Sequence, residues 1–443
     1  MANVTILHQT RFPAIPAEGP FQVDLLVRIQ ASTEKPLAAA PRPPLHLAVV
    51  LDRSGSMGGE PLRQACRCTA AILERMGPQD RLAIVIYDNR AQVLRHCLPV
   101  TDLDAARKAL AEVRAGGGTN LHLGWTVGVR ELRLARQQDA ISRVLLLSDG
   151  QANQGLIEPE ELAAACAQAQ AEGISTSTYG LGPTFGEGVM TAMARHGQGR
   201  SYYGETAEDL LDPFMEEFDL LSNLEARGLT VALATLPGVR VTQRNGYLTN
   251  PEGEWRLPDL PALGEAWALF RLEGEAGALA PSISEGEVGL GTLAIRWRDT
   301  DGREEEALPF VLRLKVLPSA AYASLPEDTL VARRMGELAA ADLQEQAHRA
   351  AQDGDWPRVR AILDELKVVG KDNPWTQAVV GELETLMTEG NHEVMTKELL
   401  FGSENSRNRI TQRLEEGPSL KSDSSYLRRK KRQGTQRLPD PEP

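Results

Sequence analysis

The run Asp52-Arg53-Ser54-Gly55-Ser56-Met57-Gly58-Gly59 sets a carboxylate and two hydroxyls at alternate positions. Oxygen donors of this kind suit a small, hard cation, whereas a soft or borderline metal favours Cys or His. Gly55, Gly58 and Gly59 let the backbone crowd close to an ion. Taken alone, such a triplet would serve equally well to cap a helix or a turn. Its meaning depends on what positions it.

The apolar run Leu45-His46-Leu47-Ala48-Val49-Val50-Leu51 leads straight into Asp52. Similar runs recur at Leu82 to Tyr87, Val144 to Leu147 and Ile174 to Tyr179, alternating with amphipathic helical segments as far as about Asn223. That alternation is the signature of a parallel sheet covered by helices on both faces. Unbroken apolar character marks the first three runs as central strands. Between the first two, Pro61 opens a helix whose apolar face carries Leu62, Ala65, Cys66, Thr69, Ile72, Leu73 and Met76, with Cys68 turned away, and Gly77-Pro78 stops it. The triplet therefore falls on the loop at the carboxyl end of a central strand, where open α/β sheets bind their ligands.

Throughout residues 45 to 223 the chain resembles the von Willebrand factor A domain family, and D-x-S-x-S is the first element of that family's metal-ion-dependent adhesion site. Gly116-Gly117-Gly118-Thr119-Asn120 is similar to the family's glycine-flanked threonine loop. Leu147-Ser148-Asp149-Gly150 ends a buried strand as the family's second aspartate does. The resemblance implies an α/β, doubly wound Rossmann-like domain with a metal site made of Asp52, Ser54, Ser56, Thr119 and Asp149. In such a site Ser54 and Ser56 ligate the cation directly, Thr119 directly or through water, and Asp52 and Asp149 largely through water. Mg²⁺ is the expected ion, with Mn²⁺ able to use the same ligands, because it favours octahedral oxygen coordination and keeps waters. Neutral hydroxyls leave the ion's charge incompletely neutralised, so a partner's Asp or Glu can fill the open position. The resemblance also implies adaptor or scaffold work with protein partners, among them AAA+ ATPases of the MoxR type. The stretch Gln151-Ala152-Asn153-Gln154-Gly155 reads equally as a plain Gly/Asn turn and as one common in bacterial members with chloride-channel-like or inter-alpha-trypsin-inhibitor-like architecture.

Outside residues 45 to 223 the period changes. From 224 to 316, Leu229 to Leu233, Ala266 to Leu272 and Leu293 to Trp297 alternate as antiparallel strands, with Asn245-Gly246 and Asp301-Gly302 as tight-turn dipeptides. Phe21 to Ile29, within residues 1 to 40, has the same character, which predicts one β-sandwich with the α/β domain inserted after the linker Pro41-Arg42-Pro43-Pro44. Residues 326 to 400 read as a helical bundle, and 401 to 443 as a disordered polar tail carrying Arg428-Arg429-Lys430-Lys431-Arg432.

Several functions are disfavoured. A net charge of −13 over 443 residues argues against broad nucleic-acid binding, which needs a basic face. The opening Met1 to Pro13 lacks the pattern of a signal peptide, and no apolar run approaches the roughly 20 residues of a membrane-spanning helix. A cytoplasmic protein is expected. Ser54 stands where an aspartyl-phosphate phosphatase would place a second Asp, and there is no phosphate loop, H-E-x-x-H or G-x-S-x-G. His122 follows Thr119 closely but reads as an ordinary surface or core residue, and Trp356 and Trp375 as buried bundle aromatics. The four cysteines, Cys66, Cys68, Cys97 and Cys166, fit neither a zinc ribbon nor a disulfide framework. A non-enzymatic, metal-dependent binding protein is thus expected. The alternatives are a hydrolase that uses the same cation to activate water, and a sandwich or helical binding module in which the metal is a structural clip.

Overall fold

The computed structural model describes residues 4–31, 42–137, 139–182, 185–204, 206, 209, 211–371, 373–407 and 411–412. The chain opens with β1 (Val4–Thr10), β2 (Ala14–Pro16) and β3 (Pro20–Ala31). An α/β series follows: β4 (Leu45–Asp52), α1 (Glu60–Arg75), β5 (Arg81–Tyr87), β6 (Ala91–Pro99), α2 (Leu103–Ala111), α3 (Leu121–Leu134), β7 (Ile141–Ser148), α4 (Pro159–Ala171), β8 (Ile174–Leu181), α5 (Glu187–His196), β9 (Gln198–Gly204) and α6 (Leu211–Ser222). Strands then resume as β10 (Leu224–Thr235), β11 (Arg240–Gln243), β12 (Trp255–Arg256), β13 (Leu260–Pro261), β14 (Gly264–Glu275), β15 (Ile283–Ser284), β16 (Glu287–Arg298), β17 (Glu304–Glu306) and β18 (Phe310–Leu317). The helices α7 (Ser319–Ala323), α8 (Thr329–Gln352), α9 (Trp356–Val369), α10 (Pro374–Glu389) and α11 (His392–Arg407) precede a last short strand, β19 (Thr411–Gln412). The described residues form two compact units, one from residues 4–31, 224–384 and 402–412, the other from 42–223 and 385–401.

The α/β unit is a six-stranded sheet in the order β6-β5-β4-β7-β8-β9. Strand β4, buried at every residue, pairs in parallel with β5 on one side and β7 on the other. Its β-branched, wholly apolar middle is what a strand covered on both faces requires. Two strands escape the sequence reading. β6 pairs antiparallel to β5 at the edge, so the sheet is mixed rather than purely parallel, and β9 closes the opposite edge. Both are half-exposed and polar in places, because an edge strand buries less of itself and so carries a weaker apolar signal.

On α1 the core face includes Cys68 beside Leu62, Ala65, Thr69, Ile72 and Leu73, while Cys66 is only half-buried. This reverses the expected assignment of the two thiols. Spacing alone does not separate them: residue 66 lies four positions from Leu62 and three from Thr69, and residue 68 three from Ala65 and four from Ile72, so packing against the sheet decides. Burial pushes the thiols of Cys68, Cys97 and Cys166 up to about 12, the signature of inert core cysteines rather than nucleophiles.

Helix α3 approaches the sheet through two glycines. A Cβ on Gly124 would lie 2.5 Å from the Tyr87 ring, and one on Gly128 2.6 Å from Val50 Cγ2. Gly128→Val is expected to destabilise the unit by about 1–3 kcal/mol through overpacking against β4, read as a lowered urea midpoint.

In the other unit two sheets face each other, one ordered β1-β3-β14-β11 and antiparallel, the other β12-β10-β16-β18-β2 and antiparallel except for the parallel β18–β2 pair. β3 pairs along its whole length with β14, from Pro20 opposite Glu275 to Gln30 opposite Glu265. Leu25, Val27, Ile29, Ala268 and Phe270 meet Leu229, Val231, Leu290 and Ile295 between the sheets. The alternation expected over Ala266 to Leu272 does not hold, since Ala266 to Phe270 are all buried. The reason is a second layer: Leu26, Trp267 and Leu269, on the far face, pack against Val331 and Leu338 of α8. Arg334 of α8 lies 4.7 Å over the Trp267 ring and bonds Glu265 at 3.2 Å. The Asp301-Gly302 dipeptide turns β16 into β17, with Asp299 Oδ1 accepting from the amides of Asp301 and Arg303. Asn245-Gly246 is no hairpin turn. β11 pairs with β14, and Asn245 instead accepts from Leu269 N.

Asp328 and Asp355 cap α8 and α9. Helix α11 runs to Arg407, so Phe401 to Arg407, expected in the polar tail, are helical and hold buried Phe401, Ser403 and Ser406. Trp356 is half-buried at the start of α9. The basic run Arg428 to Arg432, Pro41 and the side chain of Trp375 lie outside the described residues. Among the described residues, no helix is long and apolar enough to cross a membrane.

Candidate metal centre

Asp52 is the last residue of β4 and is fully buried. Its Oδ1 accepts from Ser54 N at 2.7 Å and its Oδ2 from Ser148 Oγ at 2.6 Å, which fixes the carboxylate between two loops. Burial pushes its pKa up, and the bonds from Ser148 and Ser54 oppose that rise. Ser54 Oγ lies 3.1 Å from Ser56 Oγ, and Ser56 Oγ donates to Asp149 Oδ1 at 2.8 Å. Burial, with the neighbouring charge of Asp52, raises Asp149 to about 6 against the hydrogen bond from Ser56. A Cβ on Gly150 would lie 3.4 Å from Thr119 Oγ1 and 3.6 Å from Ser56 Oγ, so both hydroxyls crowd the same spot. Three loops from the carboxyl ends of β4 and β7 and the start of α3 thus bring Asp52, Ser54, Ser56, Thr119 and Asp149 together. Ser56 alone of the five is exposed, and the cluster opens to solvent on its side.

The glycines that flank Thr119 are required by their neighbours. Gly117 has φ 86°, a conformation that a side chain disfavours. A Cβ on Gly118 would stand 2.7 Å from Asn89 Oδ1 and 2.8 Å from Gln154 Nε2. The loop is laced to the first motif by Gly116 N to Arg53 O at 2.8 Å and Gly55 N to Gly117 O at 3.1 Å. Arg53 pairs with Asp88 at 2.8 Å, and Asn120 Oδ1 caps α3 through Leu123 N.

The segment Gln151 to Gly155 is more than a turn. Asn153 Oδ1 accepts from Thr119 N at 3.0 Å while Asn153 N donates to Thr119 O at 3.1 Å. Ser148, Asn89 and Asn153 were not singled out by spacing as supports of the five. Ser148 sits beside Asp149 in a motif already noticed, but Asn89 lies in a turn after β5 and only tertiary contact reveals it. His122 Nε2 faces Thr126 Oγ1 at 3.3 Å on α3. Among the described residues no group of three or more His, Cys, Asp or Glu side chains gathers as a metal cluster. The donors here are hydroxyls and two carboxylates.

Residues 46–216 match the family model for the von Willebrand factor type A domain. The chain carries a von Willebrand factor type A domain. Within its α/β unit the five side chains sit at the carboxyl edge of the sheet. The chain is 31% identical over 191 residues to "Uncharacterized protein sll0103" of Synechocystis, a match covering 43% of this chain and 44% of that protein. It is 30% identical over 185 residues to human "Inter-alpha-trypsin inhibitor heavy chain H3", covering 39% of this chain and 21% of that one. The matches thus span less than half the length of either relative. Among solved structures, "von Willebrand factor type A from Catenulispora acidiphila" superposes with a TM-score of 0.72 at 17% identity, over 91% of this chain and 97% of that one. The "ArnB paralog VWA2 from Sulfolobus acidocaldarius" gives 0.63 at 16% identity, over 92% and 99%. These two likenesses concern the fold: an A domain, an antiparallel sandwich and a C-terminal helical segment.

Proposed function

We propose that this protein is a non-enzymatic adaptor whose A domain binds a partner protein through a Mg²⁺ ion, for which Mn²⁺ can substitute. The observation that carries this reading is the convergence of the Ser54, Ser56 and Thr119 hydroxyls with the Asp52 and Asp149 carboxylates, open on the side of Ser56. The donor set fits a hard divalent cation. Both carboxylates sit where burial disfavours their charge, an unfavourable placement that a bound cation offsets. Ser54, Ser56 and Thr119 would hold the ion, with Asp52 and Asp149 supporting it. The ion would supply one directional, charge-assisted attachment point for a partner's Asp or Glu, and the loops around it would select which protein fits. A cytoplasmic setting accords with four free thiols, and AAA+ ATPases of the MoxR type are the first partner class to examine.

Affinity purification from the native cell tests the proposal. A partner retained in Mg²⁺ is expected to be lost in EDTA, and lost again from Asp52→Ala and from the Ser54→Ala/Ser56→Ala double variant. Partners indifferent to chelator and to both variants would overturn the reading.

A further inference from the structure

We infer that Asn153, assisted by Asn89, is the positioning residue that sets the Thr119 hydroxyl for cation binding, an inference that rests on the metal-site reading above. Thr119 ends a run of three glycines. Glycines lose the most backbone freedom on ordering, so such a loop does not fix a ligand by itself. Its own helix contributes little, because α3 begins only at Leu121.

The fixing comes from two other loops. Asn153 Oδ1 takes the Thr119 amide at 3.0 Å, and the Thr119 carbonyl in turn takes the Asn153 amide at 3.1 Å. The residue is thereby gripped on both sides of its Cα. One position earlier, Asn89 Oδ1 accepts from the Gly118 amide at 2.5 Å. These side chains are held where no larger residue at 118 could stand, since its Cβ would lie 2.7 Å from Asn89 Oδ1 and 3.2 Å from Asn153 Oδ1. Gly155, with φ 73°, lets the Asn153 loop close over Asn120, whose Oδ1 would be 2.5 Å from a Cβ there. Asn153 itself is exposed and lies outside the packed core. Its bonds are spent on the loop that bears Thr119, not on holding the sheet together.

Groups that orient metal ligands change affinity when removed, typically 10–100-fold. The test uses the full chain, Mg²⁺ titration by calorimetry, and amide hydrogen exchange of residues 115–122 measured without Mg²⁺. Asn153→Ala is expected to weaken Mg²⁺ binding about 10–100-fold and to speed exchange in 115–122, with the global urea midpoint unchanged. Asn153→Asp, which keeps an acceptor oxygen in place, is expected to restore both. Asn89→Ala is expected to speed exchange at Gly118 in the same way. If the wild type binds Mg²⁺ and Asn153→Ala binds it as tightly, the positioning role is overturned while the metal site stands. If the wild type does not bind Mg²⁺, the metal-site reading fails and the inference with it. Unchanged exchange in Asn153→Ala overturns the positioning role whatever the metal does.

Discussion

Mg²⁺ at about a hundred times its dissociation constant is expected to raise the unfolding midpoint of the A domain by roughly 5–10 °C. Asp52→Asn is expected to abolish the rise. A ligand that binds only the folded state stabilises it by about 2.7 kcal/mol at that excess, and a unit of this size shifts by about 2–4 °C per kcal/mol. The substitution is gentle on the apo fold. Asn keeps an acceptor for the Ser54 amide and presents an amide group to Ser148 Oγ, while removing a charge that burial disfavours. Asp52→Asn without Mg²⁺ should therefore melt no lower than the wild type without Mg²⁺. Scanning calorimetry with Mg²⁺, Mn²⁺ and EDTA checks the pair, and an undiminished Mg²⁺ shift in Asp52→Asn would remove Asp52 from the site.

The second large effect lies away from the candidate metal centre. Glu217 of α6 and Arg143 of β7 form an ion pair in which both side chains are almost wholly buried. Ser177 Oγ and Tyr202 Oη also donate to the Glu217 carboxylate, at 2.7 and 2.8 Å. Removing one member leaves an uncompensated charge in the interior, so Glu217→Ala is expected to lower stability by about 3–5 kcal/mol, measured by equilibrium urea unfolding. Arg143→Met/Glu217→Leu should recover part of that loss, because the Arg143 charge is removed with its partner, while the Ser177 and Tyr202 hydroxyls still lose their acceptor. Burial alone would raise the Glu217 pKa, yet Arg143, Arg200 and Ser177 together hold it below the ordinary value. Its stabilising contribution is therefore complete above about pH 4.3, the unfolded value, and is lost as pH falls through the lower folded one. Glu217→Gln should flatten that part of the acid limb of the stability curve, and an unchanged acid limb would refute the assignment.

The parts legible in the sequence were those with periodic or local signals. Leu45 to Leu51 could only be a buried strand, and a carboxylate with two hydroxyls at its end belongs on the sheet's carboxyl edge from the sequence alone. The grip on Thr119 was not legible, because Asn89 and Asn153 come from loops 64 residues apart whose meeting follows from strand order, not from spacing. Edge strands β6 and β9 hid behind their polar positions. Over Ala266 to Phe270 the apolar residues facing α8 are masked for a subtler reason: alanines fill two of the three inward positions, 266 and 268, so small and large apolar residues alternate in size and can be taken for polar and apolar. Cys68 shows the same limit at one-residue scale. Both helix faces near it carry small residues, and only packing decides which of Cys66 and Cys68 points inward.

The pairing of β3 with β14 has a consequence for synthesis. Leu25 lies opposite Phe270, some 245 residues further along the chain. At a translation rate of about 5–20 residues per second, that separation corresponds to roughly 12–50 s. Throughout that interval the nascent protein carries an apolar strand with β1 on one edge but no mate yet for the other, while the six strands of the A domain emerge in full between the two. Ribosome-bound chains of this protein are thus expected to hold a folded A domain behind an unsatisfied strand, and β3 is where a holding chaperone has most to protect.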